Sequence, residues 1–595
     1  MALNVDEATL KNPKPHHSRG RHPRQLHIDE SLGDGSAELA ALGERYFTVQ
    51  HSYDPYNATL LGLSEFDQLP GDASFEASQD ASSQLAAIGK KVDAVDLARL
   101  STDEIIDRSV LSSLVHGAQQ DAEHSLWAAN ASAKGYVSRQ ALVFQAIPAM
   151  TAADSGSADR YCLRLAGLGR FFAGIGERYA AEAASGRPPT VCGVMDSITQ
   201  LDGYLALPIE RDALLAAVST SHDPALRNRA ESLLEHEVRP AMAALAERLR
   251  SDILPTARAD DRVSISTVRG AGDSYIAAVA RHTTTDLTPV EIHRIGLDVL
   301  EQTRSEWQIV GQRALGNSDF GTIAGHMRTD PGLRFDTSAQ IVAVAQAALD
   351  RGNTARDRYF PAYDIGDCVI EEINPIDAEH SALAYYRPPA VDGSRPGAHC
   401  LSATNPSSRF RFEYEALAFH ESVPGHHLQL ALAQKLDIPR YRRYLDVEAC
   451  SFNEGWGLYA EQLADEAGLY SDDLSRLGML SMRALRACRL VIDTGIHHYG
   501  WSRQRAVDFM WNNTATTAAN ATSEVDRYIH WPGQALAYMI GCREILRLRE
   551  QSKSAQGSRF VLSDFHQTVL GSGAVPLMVL ATNVERWNAG VLTRS

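Results

Sequence analysis

The segment RFEYEALAFHESVPGHHLQLALAQKL places His420, Glu421, His426 and His427 within one short stretch. Imidazole and carboxylate at this density suit a metal that activates water. Zinc hydrolases usually set two histidines four apart on one helix face, with the glutamate after the first as general base. That spacing fails here, because position 424 is Pro. Six residues of ideal helix turn through about 600°, so His426 would face away from His420; seven return to the same face, but about 10.5 Å along the axis. Ring nitrogens binding one zinc each lie about 2.0–2.1 Å from it, which a regular helix cannot provide at either spacing. Pro424 removes an amide donor and Gly425 permits unusual dihedrals, so a bulge can absorb the two extra residues and put His426 where the fourth residue normally sits. His427, after a larger distortion, is the rival second ligand.

Catalytic zinc usually keeps three protein ligands and leaves a position for water. Downstream, DVEACSFNEGWGLYAEQLADEAG offers Glu454 among apolar and aromatic neighbours, where an unpaired charge is costly and a metal resolves the cost. Glu461, two turns further on, reads as a solvated carboxylate or a partner behind a ligand about as readily as it reads as a group with a direct role. The late segment SEVDRYIHWPGQALAYMIGCREI supplies Tyr528, His530 and Tyr538 as candidates for substrate binding and oxyanion stabilisation. Core packing is the competing reading for both tyrosines. In RACRLVIDTGIHHYGW, Arg489, Asp493 and His497 recur every four residues among apolar neighbours. That stripe predicts a buried network that orients ligands, with Asp493 and His497 also counted among rival ligands.

The elements that must carry these groups are mostly helices. Apolar residues recur at helical spacing in AELAALGERYFTV, QLAAIGKKVDAVDLARL, YCLRLAGLGRFFAGIGERYAAEAA and PALRNRAESLLEHEVRPAMAALAERLRSDI. In DLTPVEIHRIGLDVLEQ, Thr288 caps, Pro289 opens and Glu291 completes a capping box, which leaves neither Glu291 nor His293 any catalytic duty. Strand-like text is confined to DCVIEEINP (367–375) and GAHCLSATNP (397–406), which predicts a small sheet just upstream of the catalytic helices. The expected division is a flexible leader over 1–35, a helical region over 36–360 that shapes access, and a zinc-binding catalytic region over 361–595.

The chain has 595 residues, 44% of them hydrophobic, enough for a large core, and a net charge of −17 that disfavours nucleic acid as a partner. No stretch approaches the roughly 20 apolar residues of a membrane span, and the polar N-terminus does not read as a secretory signal. Seven scattered cysteines, with no C-x-x-C pair, suit a reducing compartment. The expectation is a cytoplasmic protein with no membrane partner.

The blocks HESVPGHHLQ, NEGWGLYAE, RACRLVIDTGIHHYGWS and RYIHWPGQALAYMIG resemble the hallmarks of a large bacterial family known as domain of unknown function number 885. DPYNATLLGLSEFDQLPGDAS and GDSYIAAVARHTTTDLTPVEIHRIG extend the resemblance over most of the chain. That family in turn resembles the gluzincin peptidases, including thimet oligopeptidase and neurolysin. The resemblance implies a mainly α-helical, neurolysin-like fold with a small β-sheet beside the active-site helix and a deep channel. It favours His426 over His427 through the shared Gly-His, and Glu454 as third ligand through the shared Asn-Glu-Gly. It also implies that Tyr538 donates to the oxyanion, that His530 assists, and that GAHCLSATNP is an edge strand that pairs with substrate.

These readings combine into an expected zinc metallopeptidase or dipeptidase acting on short peptides. Its metal ligands are His420, His426 and Glu454; its catalytic groups are Glu421, Tyr538 and His530; and Tyr528 touches substrate. A zinc amidohydrolase or lyase for a small non-peptide metabolite is the alternative. A non-catalytic binding protein is the third reading.

Overall fold

Apolar residues at helical spacing become helices along most of the described chain. The computed structural model describes residues 34–135, 137–219, 223–373, 383–389, 395–445 and 447–593. The leader expected over 1–35 therefore lies outside the described residues, apart from the first turn of the helix Asp34–Tyr53. Thr288 caps the helix Pro289–Leu315: its hydroxyl accepts from Glu291 N at 3.3 Å, while the Glu291 carboxylate accepts from Thr288 N at 2.9 Å. The run from Pro224 departs from a simple helix. It widens into a π turn at Leu234–Val238, immediately before Arg239–Arg248, where Pro240 lacks the amide proton that a continuous α-helix requires.

Three strands are described: β1 (Cys368–Glu372), β2 (Ala384–Arg387) and β3 (Gly397–Leu401). Their order is β1-β3-β2, with β1 parallel to β3 (Cys368 opposite Gly397) and β2 antiparallel to it (Tyr386 opposite His399). GAHCLSATNP thus contributes the central strand, contrary to the expected edge. Over Gly397–Leu401 both backbone edges are taken by neighbours, which leaves none for a substrate strand. Gly397 lies against His427, so positions 397, 399 and 401 turn toward the histidine helices, while Ala398 and Cys400 pack with Val369 and Ile373 on the other face.

Six helices position the candidate site: α1 (Tyr414–Glu421), α2 (His426–Lys435), α3 (Cys450–Glu466), α4 (Asp473–His497), α5 (Ala518–His530) and α6 (Ala537–Gln556). The larger apolar core draws on residues from Leu39 to Val584, on both sides of position 360, and a second gathers Tyr56 to Ile253. Packing therefore runs across the division expected at 360. Among the described residues no helix is long and apolar enough to cross a membrane.

Glycines set two helix crossings. A Cβ at Gly296 would lie 2.7 Å from Val491 Cγ2, which brings Pro289–Leu315 close against α4. A Cβ at Gly541 would lie 1.8 Å from Ser451 O, and one at Gly455 would lie 2.6 Å from Gly541 Cα, so α3 and α6 touch backbone to backbone. Gly541→Val should therefore force these helices apart, with an expected loss of about 2–3 kcal/mol in urea unfolding. A loss below about 0.5 kcal/mol would show that the crossing is loose.

Candidate metal centre

The segment Ser422–Gly425 decides whether the two histidines can meet. α1 closes with Ser422 N donating to Ala418 O at 2.8 Å, and the chain then leaves helical geometry until α2 starts at His426. A Cβ at position 425 would stand 1.9 Å from His420 O and 2.4 Å from Phe419 O, so only glycine lets the chain return this closely to the end of α1. The Pro424 carbonyl accepts the Trp456 indole proton at 3.0 Å, which ties the link to α3. The expected bulge within one helix is instead a break between two: neither Pro424 nor the tight Gly425 contact fits a continuous ladder.

The break brings His420 Nε2 to 3.3 Å and His426 Nε2 to 3.6 Å from Glu454 Oε2. The donor atoms of His420, His426 and Glu454 all lie within 4.8 Å of one another. One proton of each ring is held on the far side. His420 Nδ1 donates to Glu461 Oε1 at 2.8 Å, and His426 Nδ1 donates to Gln429 Oε1 at 3.3 Å. Gln429 in turn donates to Asn453, whose amide donates to Leu445 O at 3.0 Å. Both Nε2 atoms therefore face Glu454, to which they donate while the cluster is protonated; loss of those protons would free their lone pairs for a cation. Ligand atoms around tetrahedral zinc, with bonds of about 2.0–2.2 Å, stand about 3.3 Å apart, so the residues present fit that ion.

On α3, Glu454, Gly457 and Glu461 fall at positions i, i+3 and i+7, one face of the helix. The His420 ring lies over Gly457, where a Cβ would come within 2.5 Å of His420 Cε1, and is bracketed by the two carboxylates. The sequence left Glu461 between a direct role and a solvated or supporting one; its buried carboxylate pairs with His420 Nδ1 and orients that ring. His427 goes elsewhere. Its Nε2 donates to Gly366 O at 3.3 Å and its Nδ1 accepts from Tyr386 OH at 3.0 Å, so the structure brings His426, and not His427, to Glu454.

Charge in the cluster is tightly coupled. Burial opposes protonation of His420, but hydrogen bonds to Glu454 and Glu461 outweigh it and push its pKa up to about 10. Burial likewise opposes ionisation of Glu454, yet the two histidines hold its carboxyl well below the usual range. Glu421 is buried beside them; burial raises its pKa, while His420 and His426 pull it down. Sequence reasoning missed His399 on β3. This fully buried imidazole, with no partner for either nitrogen among the described residues, is pushed down to about 3 by burial and by the His420 charge. Its place in the strand-like text 397–406, just upstream of the histidine segment, was the available signal.

The remaining candidates divide. Tyr538, on α6, is where Glu454 is felt: burial, then the Glu454 charge, push its phenol up to about 12. Arg527 Nη2 donates to its oxygen at 3.2 Å. Tyr528 is fully buried, donates to Glu524 and accepts from Arg489 Nε at 3.2 Å. His530 lies outside the group of three donors, with Nε2 paired at 3.0 Å to Oγ1 of Thr190, the cap of the helix Val191–Leu205. Asp493 and His497 also stand apart from the three donors. Asp493 accepts from Tyr275 OH at 2.7 Å and from Gly533 N at 3.0 Å; His497 accepts from Ile265 N at 3.2 Å and donates to Tyr528 O at 2.9 Å. The stripe is buried as expected, but it pins the α5–α6 turn and contributes no ligand.

The fold and site define a mainly α-helical protein with a small mixed sheet and a His-His-Glu cluster whose histidines are buried and whose carboxylate is part-exposed. Residues 55–584 match the family described as "Bacterial protein of unknown function (DUF885)", and the chain belongs to that family. No curated protein matches it in sequence. Among solved structures, it is similar to one described as the "putative lipoprotein from Colwellia psychrerythraea", at 24% identity and a TM-score of 0.86, covering 94% of this chain and all of that one. It is also similar to "a putative lipoprotein of unknown function from Shewanella oneidensis", at 17% identity and a TM-score of 0.72, covering 91% of this chain and 99% of that one. These likenesses establish the shared fold.

Asp493 yields a pH prediction. Burial pushes its carboxyl from an ordinary 3.8 up to about 7, against the opposing bonds from Tyr275 and Gly533. Between those values the folded state keeps a proton that the unfolded chain has lost, so the contribution of Asp493 to stability falls as pH rises. Asp493→Asn keeps an acceptor for both donors and removes that dependence. Its urea midpoint relative to the native protein should therefore climb from pH 4 to pH 7, whereas a constant difference would mean that Asp493 is ionised in the fold throughout.

Proposed function

We propose that the protein is a zinc-dependent metallopeptidase or dipeptidase that hydrolyses short peptides, on a scaffold of the neurolysin kind. The observation that carries this reading is the convergence of two imidazole Nε2 atoms and one carboxylate oxygen, with Glu421 directly after the first histidine. His420, His426 and Glu454 would hold the ion. Zinc bound there supplies Lewis-acid polarisation of a carbonyl and activation of water. Glu421, buried and raised in pKa, is suited to take a proton from the attacking water and return it to the leaving amine.

Tyr538 completes the set. Its phenol stays protonated at neutral pH, and because its oxygen already accepts from Arg527, its own proton is available to a developing oxyanion. His530 is given no role in this scheme; its Nε2 pairs with Thr190, and its Nδ1 is buried with no partner among the described residues. We place the protein in a reducing compartment, a reading supported by its seven free thiols. The two solved relatives carry lipoprotein descriptions, which supply the opposing consideration.

Purified protein supplemented with zinc should hold about one equivalent by elemental analysis. His426→Ala should lose most of it and His427→Ala should retain it. Glu421→Gln should keep the metal and lower peptide turnover by at least about a hundredfold. Metal content near zero would favour a non-catalytic binding protein; bound zinc with no cleavage across a dipeptide and oligopeptide library would favour a small amide metabolite. Substantial residual hydrolysis by Glu421→Gln would remove Glu421 from its role.

A further inference from the structure

Beside the cluster, two guanidiniums share one carboxylate. Arg489 is buried and directs Nε and Nη2 to Glu524 Oε2 at 3.0 and 2.8 Å. Its third nitrogen, Nη1, is buried with no acceptor among the described residues. Arg527 Nη1 stands 3.8 Å from the other Glu524 oxygen, and Arg527 Nη2 donates to Tyr538 OH at 3.2 Å and to the neutral amide oxygen of Gln534. Asp526, next in the chain, does not compensate, because both its oxygens are taken by Arg503 at 2.6 and 2.9 Å. One positive charge is left over, and both guanidiniums face the Tyr538 ring, at 4.3 Å for Arg489 and 5.6 Å for Arg527.

A largely buried cation without a counter-charge is costly, and a carboxylate is the ligand whose fork geometry best matches a guanidinium. We propose that Arg489 and Arg527 bind a substrate carboxylate, and that it is the free C-terminal carboxylate of a short peptide. The identity of the peptide rests on the hydrolase reading above; the carboxylate site does not. The Arg527 side chain remains 22% exposed, so a ligand can reach it.

The arginines adjoin the cluster through Tyr538: both guanidiniums face its ring, and one turn along the same helix Gly541 packs on Gly455, beside Glu454. A peptide anchored by its C-terminus on the arginines would therefore run past Tyr538 toward His420, His426 and Glu454. Cleavage would release a short C-terminal fragment, which makes the enzyme a C-terminal exopeptidase.

The test uses N-acetyl-phenylalanine and its carboxamide as probes of the metal-free full chain by calorimetry, followed by matched free-acid and amidated peptides with zinc-loaded protein. The acid should bind at least about tenfold more tightly than the amide, as expected for a charge-assisted bond. Arg527→Gln should erase that preference and Arg527→Lys should retain part of it. If Arg527→Gln does not fold, the acid–amide comparison on native protein and on the lysine variant still decides. Equal binding of acid and amide overturns the carboxylate site, whatever peptides are cleaved. Acid-selective, Arg527-dependent binding without cleavage of any peptide upholds the site and overturns the peptidase reading.

Discussion

Two imidazoles and one carboxylate can hold a shared cation only if each ring keeps its other proton on the opposite nitrogen, and much of the site's construction serves that condition. Glu461 holds the proton of His420, and Gln429, backed by Asn453, holds that of His426. Glycines supply the space: Gly457 lets the His420 ring lie flat on α3, and Gly425 lets α2 start against the end of α1. Each is a contact that a single methyl group would break. The polar and steric requirements are therefore met by the same few residues, on helices more rigid than loops.

A second polar layer acts at a distance from the donors. Asp493 fixes the turn at Gly533, whose φ of +82° lies in the left-handed region, and His497 fixes the last turn of α5. Between them they set where α6 begins and hence where Tyr538 stands. Arg489, from the same stripe of α4, covers the Tyr538 ring. α4 thus positions the phenol, and through Arg486, 3.8 Å from Glu461, it also backs the carboxylate that holds His420.

The parts of this arrangement that were legible in sequence are those encoded by local chemistry. The capping box at Thr288, the helical stretches, the Gly-His after Pro424 and the Asn-Glu-Gly around Glu454 each require only neighbouring residues to be read. What escaped depends on distant partners. β3 is central because β1 and β2 both pair with it, and nothing in GAHCLSATNP encodes that order. His530 and Tyr538 looked like one unit, yet the left-handed Gly533 and the turn Gln534–Leu536 separate two helices, so their side chains obey different axes. The break at Ser422–Gly425 read as a bulge because the sequence does not show that Trp456 holds the Pro424 carbonyl.

The doubled histidine after Gly425 has its own logic. Adjacent residues on a helix point about 100° apart, so His426 and His427 cannot both face Glu454. With His426 turned to the cluster, His427 necessarily faces a neighbouring element, and there it meets Tyr386 of β2 and Gly366 ahead of β1. Position 397 on β3 must then be glycine, because a Cβ would lie 2.8 Å from His427 Nδ1 and 2.4 Å from Tyr386 OH. His427 thereby docks the sheet onto α2, with His399 on the same face of β3. The residue that competes for the ligand role on sequence grounds is the one that sets how the sheet lies against the helices of the metal centre.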